Sequence, residues 1–392
     1  MKKNQKPKNK KFSGLKIALV HDYLAGYGGA ERVLEAFHQL FPRAPIYTSF
    51  FLPGNFGPHQ TKVKEWPIRT SFLQKVPFKK FLISPFRLLA PTALRKLNLS
   101  GFDLIIVSAT GAYTPNTIKT ASKAIHLCYC HTPPRYLYGY PTARNWQKHW
   151  WGRSAGNFIN HFLRLTDFES AQKVSHFIAN SREVAGRIKK FYRRDSVVIY
   201  PPVDIQRFKN RKQGGEKEGV YYLAGGRLAR AKRIDLAVRA CNRLNLPLKV
   251  FGSSFAGYGE ELKKLAGPTV EFVDEVNDRE LADLYANCRA YIFCADQEDF
   301  GITPVEAMAA GRPVIAYRSG GVRETVVEGK TGLFFEELTV NSLIKVLKKF
   351  DISIYRKIKF RDCWQQAEKY SQERFKREIL EFVSEVVSIG ES

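Results

Sequence analysis

Short apolar runs recur along the chain, most of them ended by a turn signal: KIALV at 16–20, DLIIVSA at 103–109, AIHLCYC at 124–130, HFIAN at 176–180 and SVVIY at 196–200. Runs of this length without polar alternation predict strands buried on both faces, the habit of parallel sheets. Between several of them lie segments with apolar residues at helical spacing, AERVLEAFHQLF (30–41), TDFESAQKV (166–174) and SREVAGRIKKFY (181–192). This alternation predicts a doubly wound α/β domain. A polar, glycine-containing stretch, NRKQGGEKEG at 210–219, interrupts the rhythm. It then resumes with VYYLAGG (220–226), LKVFG (248–252), VEFVDEV (270–276), AYIFCA (290–295) and PVIAY (313–317), between helices at 259–266, 278–287 and 303–310. The pattern predicts a tail (1–13), a first domain (14–204), a second domain (205–362) and a last helix at 363–387, which has no strand after it and is expected to pack back on the first domain. In open α/β sheets ligands bind beyond the carboxyl ends of the strands.

Length supports this division, because 392 residues exceed the usual size of one hydrophobic core. Charge adds a partner. Sixty-three basic against 37 acidic residues give a net charge of +26, which attracts something anionic: nucleic acid, anionic lipid or a phosphorylated small molecule. The first 11 residues carry six lysines and read as a disordered tail, and the apolar run after them, Ile17 to Val20, stops at His21 and Asp22, too short for a signal peptide. No stretch approaches a spanning helix, so the expected location is cytoplasmic, or on a membrane surface.

Two segments, 66–102 and 132–166, contain no Asp or Glu. The first sets Trp66, Phe72, Phe78, Phe81 and Phe86 beside Arg69, Lys75, Lys79, Lys80, Arg87, Arg95 and Lys96; the second sets Tyr136, Tyr138, Trp146, Trp150 and Trp151 beside Arg135, Arg144, Lys148 and Arg153. Both suit an anionic lipid interface. A solvated basic face over ordinary core aromatics explains them too, since Pro67, Pro77, Pro85 and Pro91 break any amphipathic helix. The six cysteines fall mostly in apolar patterns and read as reduced core residues; Cys128, Cys130 and His131 lack a second ligand pair at zinc spacing, so no metal is expected there.

Four strand ends carry candidate chemistry. In HDYLAGYGGAERV, Gly28 and Gly29 lead into a helix and allow the backbone to approach a phosphate or sugar, although a plain tight turn reads the loop equally well. It is not the G-x-G-x-x-G of a dinucleotide fold. In LAGGRLARAKRIDLAV, Arg227 stands five residues before Lys232, and Arg230, Lys232 and Arg233 crowd a helix start, where the macrodipole disfavours cations. A diphosphate would supply the missing negative charge, clamped by Arg227 and Lys232; Asp235 offsets part of the clash. In EDFGITPVEAMAAG, Thr303 reads as an N-cap, Pro304 as the first helical residue and Glu306 as the partner in a capping box, which leaves Glu298 and Gly301 unexplained. The uncovered N–H groups there suit an anion, Glu306 suits a ribose hydroxyl pair and Glu298 a sugar. In CYCHTPPRYLY, His131 ends a first-domain strand and is expected to face the second domain; a lone histidine is as readily structural.

YGGAERV, GGRLARAKRID and above all EDFGITPVEAMAAGRPVIA, an E-x7-E motif, resemble the GT-B glycosyltransferases, specifically family four of the retaining enzymes, over nearly the whole chain from about residue 14. HDYLAGYGGAERVLEAFHQLFPRAPIYTSFF and CYCHTPPRYLY also resemble the branch that includes mannosyltransferases of O-antigen and related polysaccharide assembly. The resemblance implies two Rossmann-like domains facing a central cleft, with a nucleotide-sugar donor on the second domain and a glycan acceptor on the first. Position by position it implies that Arg227 and Lys232 bind the diphosphate, Glu306 the ribose, and Glu298 with the backbone of 299–303 (Phe300, Gly301, Ile302, Thr303) the sugar and phosphates. Gly28 and Gly29 then line the donor–acceptor junction, and His131 matches the family's cleft histidine. Arg227 and Lys232 would stabilise the leaving diphosphate, so neither cofactor, metal nor protein nucleophile is required. The expected activity moves a hexose, mannose from GDP-mannose, onto a polyprenyl-diphosphate-linked glycan at the inner face of the plasma membrane. The alternatives are a nucleotide-sugar epimerase of the same fold, and a non-enzymatic nucleic-acid binder that rests on charge alone and for which no recognised module appears.

Overall fold

A computed structural model describes residue 12 and residues 14–140, 150–208, 219–273 and 276–390. The strands in chain order are β1 (Ile17–His21), β2 (Ile46–Thr48), β3 (Ile68–Thr70), β4 (Asn98–Leu99), β5 (Leu104–Ala109), β6 (Lys119–Thr120), β7 (Ile125–Cys130), β8 (His176–Ala179), β9 (Ser196–Val198), β10 (Tyr221–Gly225), β11 (Leu248–Phe251), β12 (Val270–Val273), β13 (Cys288–Phe293), β14 (Val314–Tyr317) and β15 (Gly332–Phe335). The helices are α1 (Gly29–Leu40), α2 (Gln60–Lys64), α3 (Phe86–Arg95), α4 (Trp150–Gln172), α5 (Arg182–Tyr192), α6 (Ile234–Leu244), α7 (Tyr258–Leu265), α8 (Asp278–Asn287), α9 (Ile302–Ala309), α10 (Val322–Thr325), α11 (Val340–Lys349), α12 (Phe360–Glu368) and α13 (Gln372–Gly390).

The apolar runs form two parallel sheets. The first has seven strands in the order β3-β2-β1-β5-β7-β8-β9, the second six in the order β12-β11-β10-β13-β14-β15. All six residues of β5 are buried, as a strand covered by helices on both faces requires. Strand order reverses direction between β1 and β5 in the first sheet and between β10 and β13 in the second, and in such sheets ligands bind at the crevice opened by that reversal. Register puts His21 of β1 opposite Ser108 of β5, so polar side chains collect at the carboxyl edge of the first sheet. The loops after β10 and β13 carry Arg227 to Arg233 and Glu298 to Gly301 at the corresponding edge of the second.

Five strands, β2, β3, β4, β6 and β15, have no counterpart among the predicted runs: the first four are two or three residues long, and β15 is a four-residue GLFF whose flanks gave no rhythm. The helix expected at 166–174 is the end of the much longer α4. The single helix expected at 363–387 is two, broken at 369–371. Cys363, Trp364, Ala367 and Tyr370 bury into the second domain's core, whereas Phe375, Ile379, Val383 and Val386 pack with Phe37 and Tyr129 of the first. The chain therefore crosses between the sheets at the break, where Val203 N, on the earlier crossing, donates to Tyr370 O at 2.9 Å. The tail apart from Phe12, 210–218, Arg144, Trp146 and Lys148, and the side chains of Trp150, Trp151 and Arg153 lie outside the described residues.

All six cysteines are buried thiols without disulfides. No group of three or more His, Cys, Asp or Glu among the described residues is placed to hold a metal, and no described helix is long and apolar enough to cross a membrane.

Candidate active site between the two sheets

The second-domain half begins at β10. Gly225 and Gly226 turn the chain with φ of 154° and 107°, and the turn is so close to the next strand end that a methyl on Gly252 would stand 1.8 Å from Gly226 O. Beyond it the cations separate. Arg230 pairs with Glu261, and Arg233, in the left-handed region at φ = 48°, is held by Asp235 at 3.0 and 3.2 Å. Lys232 Nζ lies 2.7 Å from both oxygens of Glu298. The crowding at the start of α6 is thus neutralised by three carboxylates, Asp235, already visible in the sequence, and Glu261 and Glu298, which sequence spacing alone could not bring there. Arg227 differs: it is exposed, lies over the Phe255 ring at 5.4 Å and has no ion pair among the described residues.

The E-x7-E stretch departs from the capping box. Gly301, at φ = 89°, is the residue before α9, Ile302 is the first helical residue, and no side chain caps the start. Thr303 and Pro304 therefore sit inside the first turn, and Glu306 points away from it. Its buried carboxylate accepts from Arg207 and, at 3.2 Å, from Tyr285 Oη, with Arg32 Nη1 of the first domain 3.9 Å away. The first turn of α9 holds no acid, so its N–H groups of Ile302, Thr303 and Val305 keep the partial positive charge that suits an anion. Phe300 is buried in the core behind the turn, against Tyr200 and Tyr370.

The first-domain half meets this turn directly. Helix α1 begins at Gly29, Gly28 N donates to Glu31 Oε2 at 2.8 Å, and a methyl on Gly29 would stand 2.8 Å from Ile302 Cδ1. Two helix starts, one from each domain, approach across the crevice with a glycine at the contact. His131 is buried: its Nε2 lies 2.9 Å from Ser108 Oγ, which is 3.1 Å from His21 Nδ1, and His21 Nε2 is 3.7 Å from Glu31. Burial pushes the His131 pKa down to about 3, so the ring is neutral near pH 7 and too weakly basic to take a proton efficiently. The contacts of this ring are with first-domain residues, Ser108 and Tyr129, rather than across the cleft as expected. The neutral ring offers the site a hydrogen-bond donor or acceptor, here engaged with Ser108. Asp22, also buried, accepts from the backbone N–H of Thr110 (3.1 Å), Ala112 (3.2 Å) and Tyr113 (3.4 Å) and so shapes the loop after β5.

Residues without an assigned role in the sequence join the halves. Arg135 and Arg187 of the first domain both reach Asp299 and the Gln297 carbonyl, and the Glu324 carboxylate of the second accepts from the N–H groups of Arg182 (2.9 Å) and Glu183 (3.0 Å) at the start of α5. The only signals were a charged residue inside the motif and an arginine four places after His131. A polar cavity of about 500 Å³ opens beside this contact, bounded by Tyr140, Glu183, Lys190, Gln297, Arg318 and Arg323, whereas only about 10 Å³ is open beside Lys232 and Tyr291.

The acid-free segments divide. Trp66 and Phe86 are core residues, but Phe78 and Phe81 are 79% and 75% exposed beside half-buried Lys79 and exposed Lys80. Leu88 and Leu89 of α3 and Phe158, Phe162 and Leu165 of α4 are exposed as well, and both helices pack against the turn at Pro115–Thr117.

Two family models match in tandem: "Glycosyltransferase Family 4" over residues 27–207 and "Glycosyl transferases group 1" over 205–352. Among curated proteins the chain is similar to the alpha-1,3/1,6-mannosyltransferase ALG2 of Rhizomucor pusillus, 26% identical with 81% of this chain and 80% of that protein covered. It is also similar to the sulfoquinovosyl transferase SQD2 of Arabidopsis thaliana, 27% identical with 71% of this chain and 54% of that protein covered. Among solved structures, HepE of Anabaena, crystallised with UDP and glucose, shares the fold: TM-score 0.65, 18% identity, 94% of this chain and 99% of that one.

Proposed function

Since the chain belongs to the family 4 glycosyltransferases and has their two-domain GT-B fold, we propose that it is a retaining hexosyltransferase that moves mannose from GDP-mannose onto a lipid-linked glycan in polysaccharide or O-antigen synthesis. The observation that carries the reading is the Lys232 ammonium, 2.7 Å from Glu298 at the uncapped start of α9. A sugar diphosphate entering there exchanges this ion pair for two better-matched ones: Lys232 and Arg227 on the phosphates, Glu298 on the sugar hydroxyls. As the glycosidic bond to the diphosphate breaks, charge grows on the leaving oxygen, and the two cations with the α9 N–H groups stabilise it. That oxygen takes the acceptor's proton, so His131 need not, and no metal ion is required to offset the charge. Glu306 takes the ribose after yielding its contact with Arg207 or Arg32. The name of the ALG2 relatives supports mannose.

The acceptor's lipid explains the exposed Phe78, Phe81 and α3–α4 side chains among lysines, which fit an anionic membrane surface at the inner face of the plasma membrane. Thermal-shift measurements with GDP, UDP and ADP and their sugars test the donor, because a ligand of the native state raises Tm by mass action. GDP and GDP-mannose are expected to raise Tm in the wild type and not in Lys232→Ala; no shift with any of them removes the reading.

A further inference from the structure

Arg135 and Arg187 enter from opposite sides of the first domain's edge, one in the loop after β7 and one in α5, and meet the same two groups of the second. Arg135 Nη2 is 2.8 Å from Asp299 Oδ1 and 2.7 Å from Gln297 O. Arg187 Nη2 is 2.8 Å from Gln297 O, and its Nη1 bonds both Asp299 Oδ1 and, at 3.1 Å, Thr132 Oγ1. The Ser181 hydroxyl donates to the Asp299 carbonyl. The Arg187 side chain is only 3% exposed and shares a second carboxylate, Glu183 at 3.2 Å. The chain pays for this contact with strain: Gln297, not a glycine, sits at φ = 49°.

Sequence adjacency gives the contact its meaning. Asp299 follows Glu298 and Thr132 follows His131, so one charge cluster ties the loop on which Glu298 stands to the loop on which His131 stands. We propose that Asp299 is a positioning residue, a latch that closes the crevice and holds Glu298 and the start of α9 at the distance from the first domain at which donor and acceptor react. The proposal rests on the glycosyltransferase reading for what is positioned, not for the latch itself. A carboxylate shared by a buried and a half-buried guanidinium group suits this role, because losing its charge leaves two neighbouring first-domain cations without the counter-charge that the second domain supplied. The shape of the Asp299 side chain is then secondary and its charge decisive.

The test compares Asp299→Asn and Asp299→Glu with the wild type. Small-angle scattering of the unliganded protein reads closure, calorimetry with GDP and UDP reads the second-domain site, and nucleoside diphosphate release from GDP-mannose and UDP-glucose, with lipid extracted from the source cells' membranes as acceptor, reads turnover. Asp299→Asn is expected to enlarge the radius of gyration and to lower kcat by roughly tenfold or more, as misplacement of reacting groups by about 1 Å does. The Kd for the nucleotide should stay within about twofold, with Asp299→Glu recovering part of kcat. Should Asp299→Asn not fold, Arg135→Gln, which removes the more exposed of the two guanidinium groups, is expected to give the same pattern. Wild-type kcat and dimensions in the Asn variant, or a nucleotide Kd that worsens in step with kcat, overturn the latch. Failure of the wild type to bind any sugar nucleotide overturns the functional reading instead, and scattering still decides the latch.

Discussion

Glu298→Gln separates function from stability more cleanly than any other change at the site. In the unliganded protein Glu298 makes one ion pair among the described residues, with Lys232, and the two side chains are 19% and 25% exposed. Pairs open to water to this degree contribute little, about 1 kcal/mol at most, and Lys232 retains access to solvent once its partner is gone. A chain of this size then loses roughly 1 °C in Tm. Turnover depends on Glu298 in a different way, through hydrogen bonds from a bound sugar to a charged acceptor, worth about 1.5–3 kcal/mol, or roughly 10- to 150-fold in rate. A third consequence runs opposite to the usual effect of removing a site residue. Without the ion pair, Lys232 is released, so GDP or UDP alone should bind as tightly as before or tighter. The assay is calorimetry with the nucleoside diphosphate beside turnover with the sugar nucleotide, on protein whose Tm is measured in parallel. Unchanged kcat/KM refutes the assignment of Glu298 to the sugar. A Tm loss well beyond about 3 °C refutes the claim that the Lys232 pair is weak.

Glu306→Gln should behave in the opposite way. Glu306 shares Arg207, which is only 10% exposed, with Asp278 at 3.0 Å, so the variant should lose about 1–3 kcal/mol and denature at lower temperature even without ligand; a Tm equal to wild type would show that the Arg207 contact is not stabilising. Asp167 is buried, accepts from Tyr138 Oη at 2.9 Å, and burial pushes its pKa up to about 7. A raised carboxyl contributes stability that is present below its unfolded value near 4 and lost as pH rises through 7. Asp167→Asn should therefore gain Tm relative to wild type between pH 4 and pH 8, whereas a difference constant with pH would exclude ionisation of Asp167 as the cause. Replacing Phe78 and Phe81 together by Ser should reduce sedimentation with anionic liposomes severalfold and leave Tm unchanged, since both rings are exposed; equal binding of the wild type to neutral and anionic liposomes would remove the electrostatic part of the argument.

Legibility followed distance along the chain. Every strand of four or more apolar residues except β15 announced itself, because a strand buried on both faces needs no partner to declare its pattern. The loops that the structure brings to the crevice were readable where backbone freedom or charge was conspicuous, at Gly28, Gly29, Gly301, Arg227 and Lys232. Misreadings arose where the deciding partner is remote. The capping box at Thr303 failed because Glu306 is claimed by Arg207, 99 positions earlier, and Gly301 already turns the chain into α9. The uncompensated cations at 230–233 were compensated by Glu261 and Glu298, the latter 66 positions away. Asp299 carried no visible role for the same reason, since its partners lie 112 and 164 positions away on the other domain.

The chain's second crossing, at 369–371, has a bearing on how the protein is made. Helix α13 supplies Phe375, Ile379, Val383 and Val386 to the core that Phe37 and Tyr129 began, yet it emerges from the ribosome only after every strand of the second sheet. The first domain is thus synthesised first and finished last, and its unfilled apolar face must wait through the translation of more than a hundred residues. A nascent chain stopped before residue 372 would carry a complete second sheet and an open first one, which makes the early domain the one in need of a chaperone.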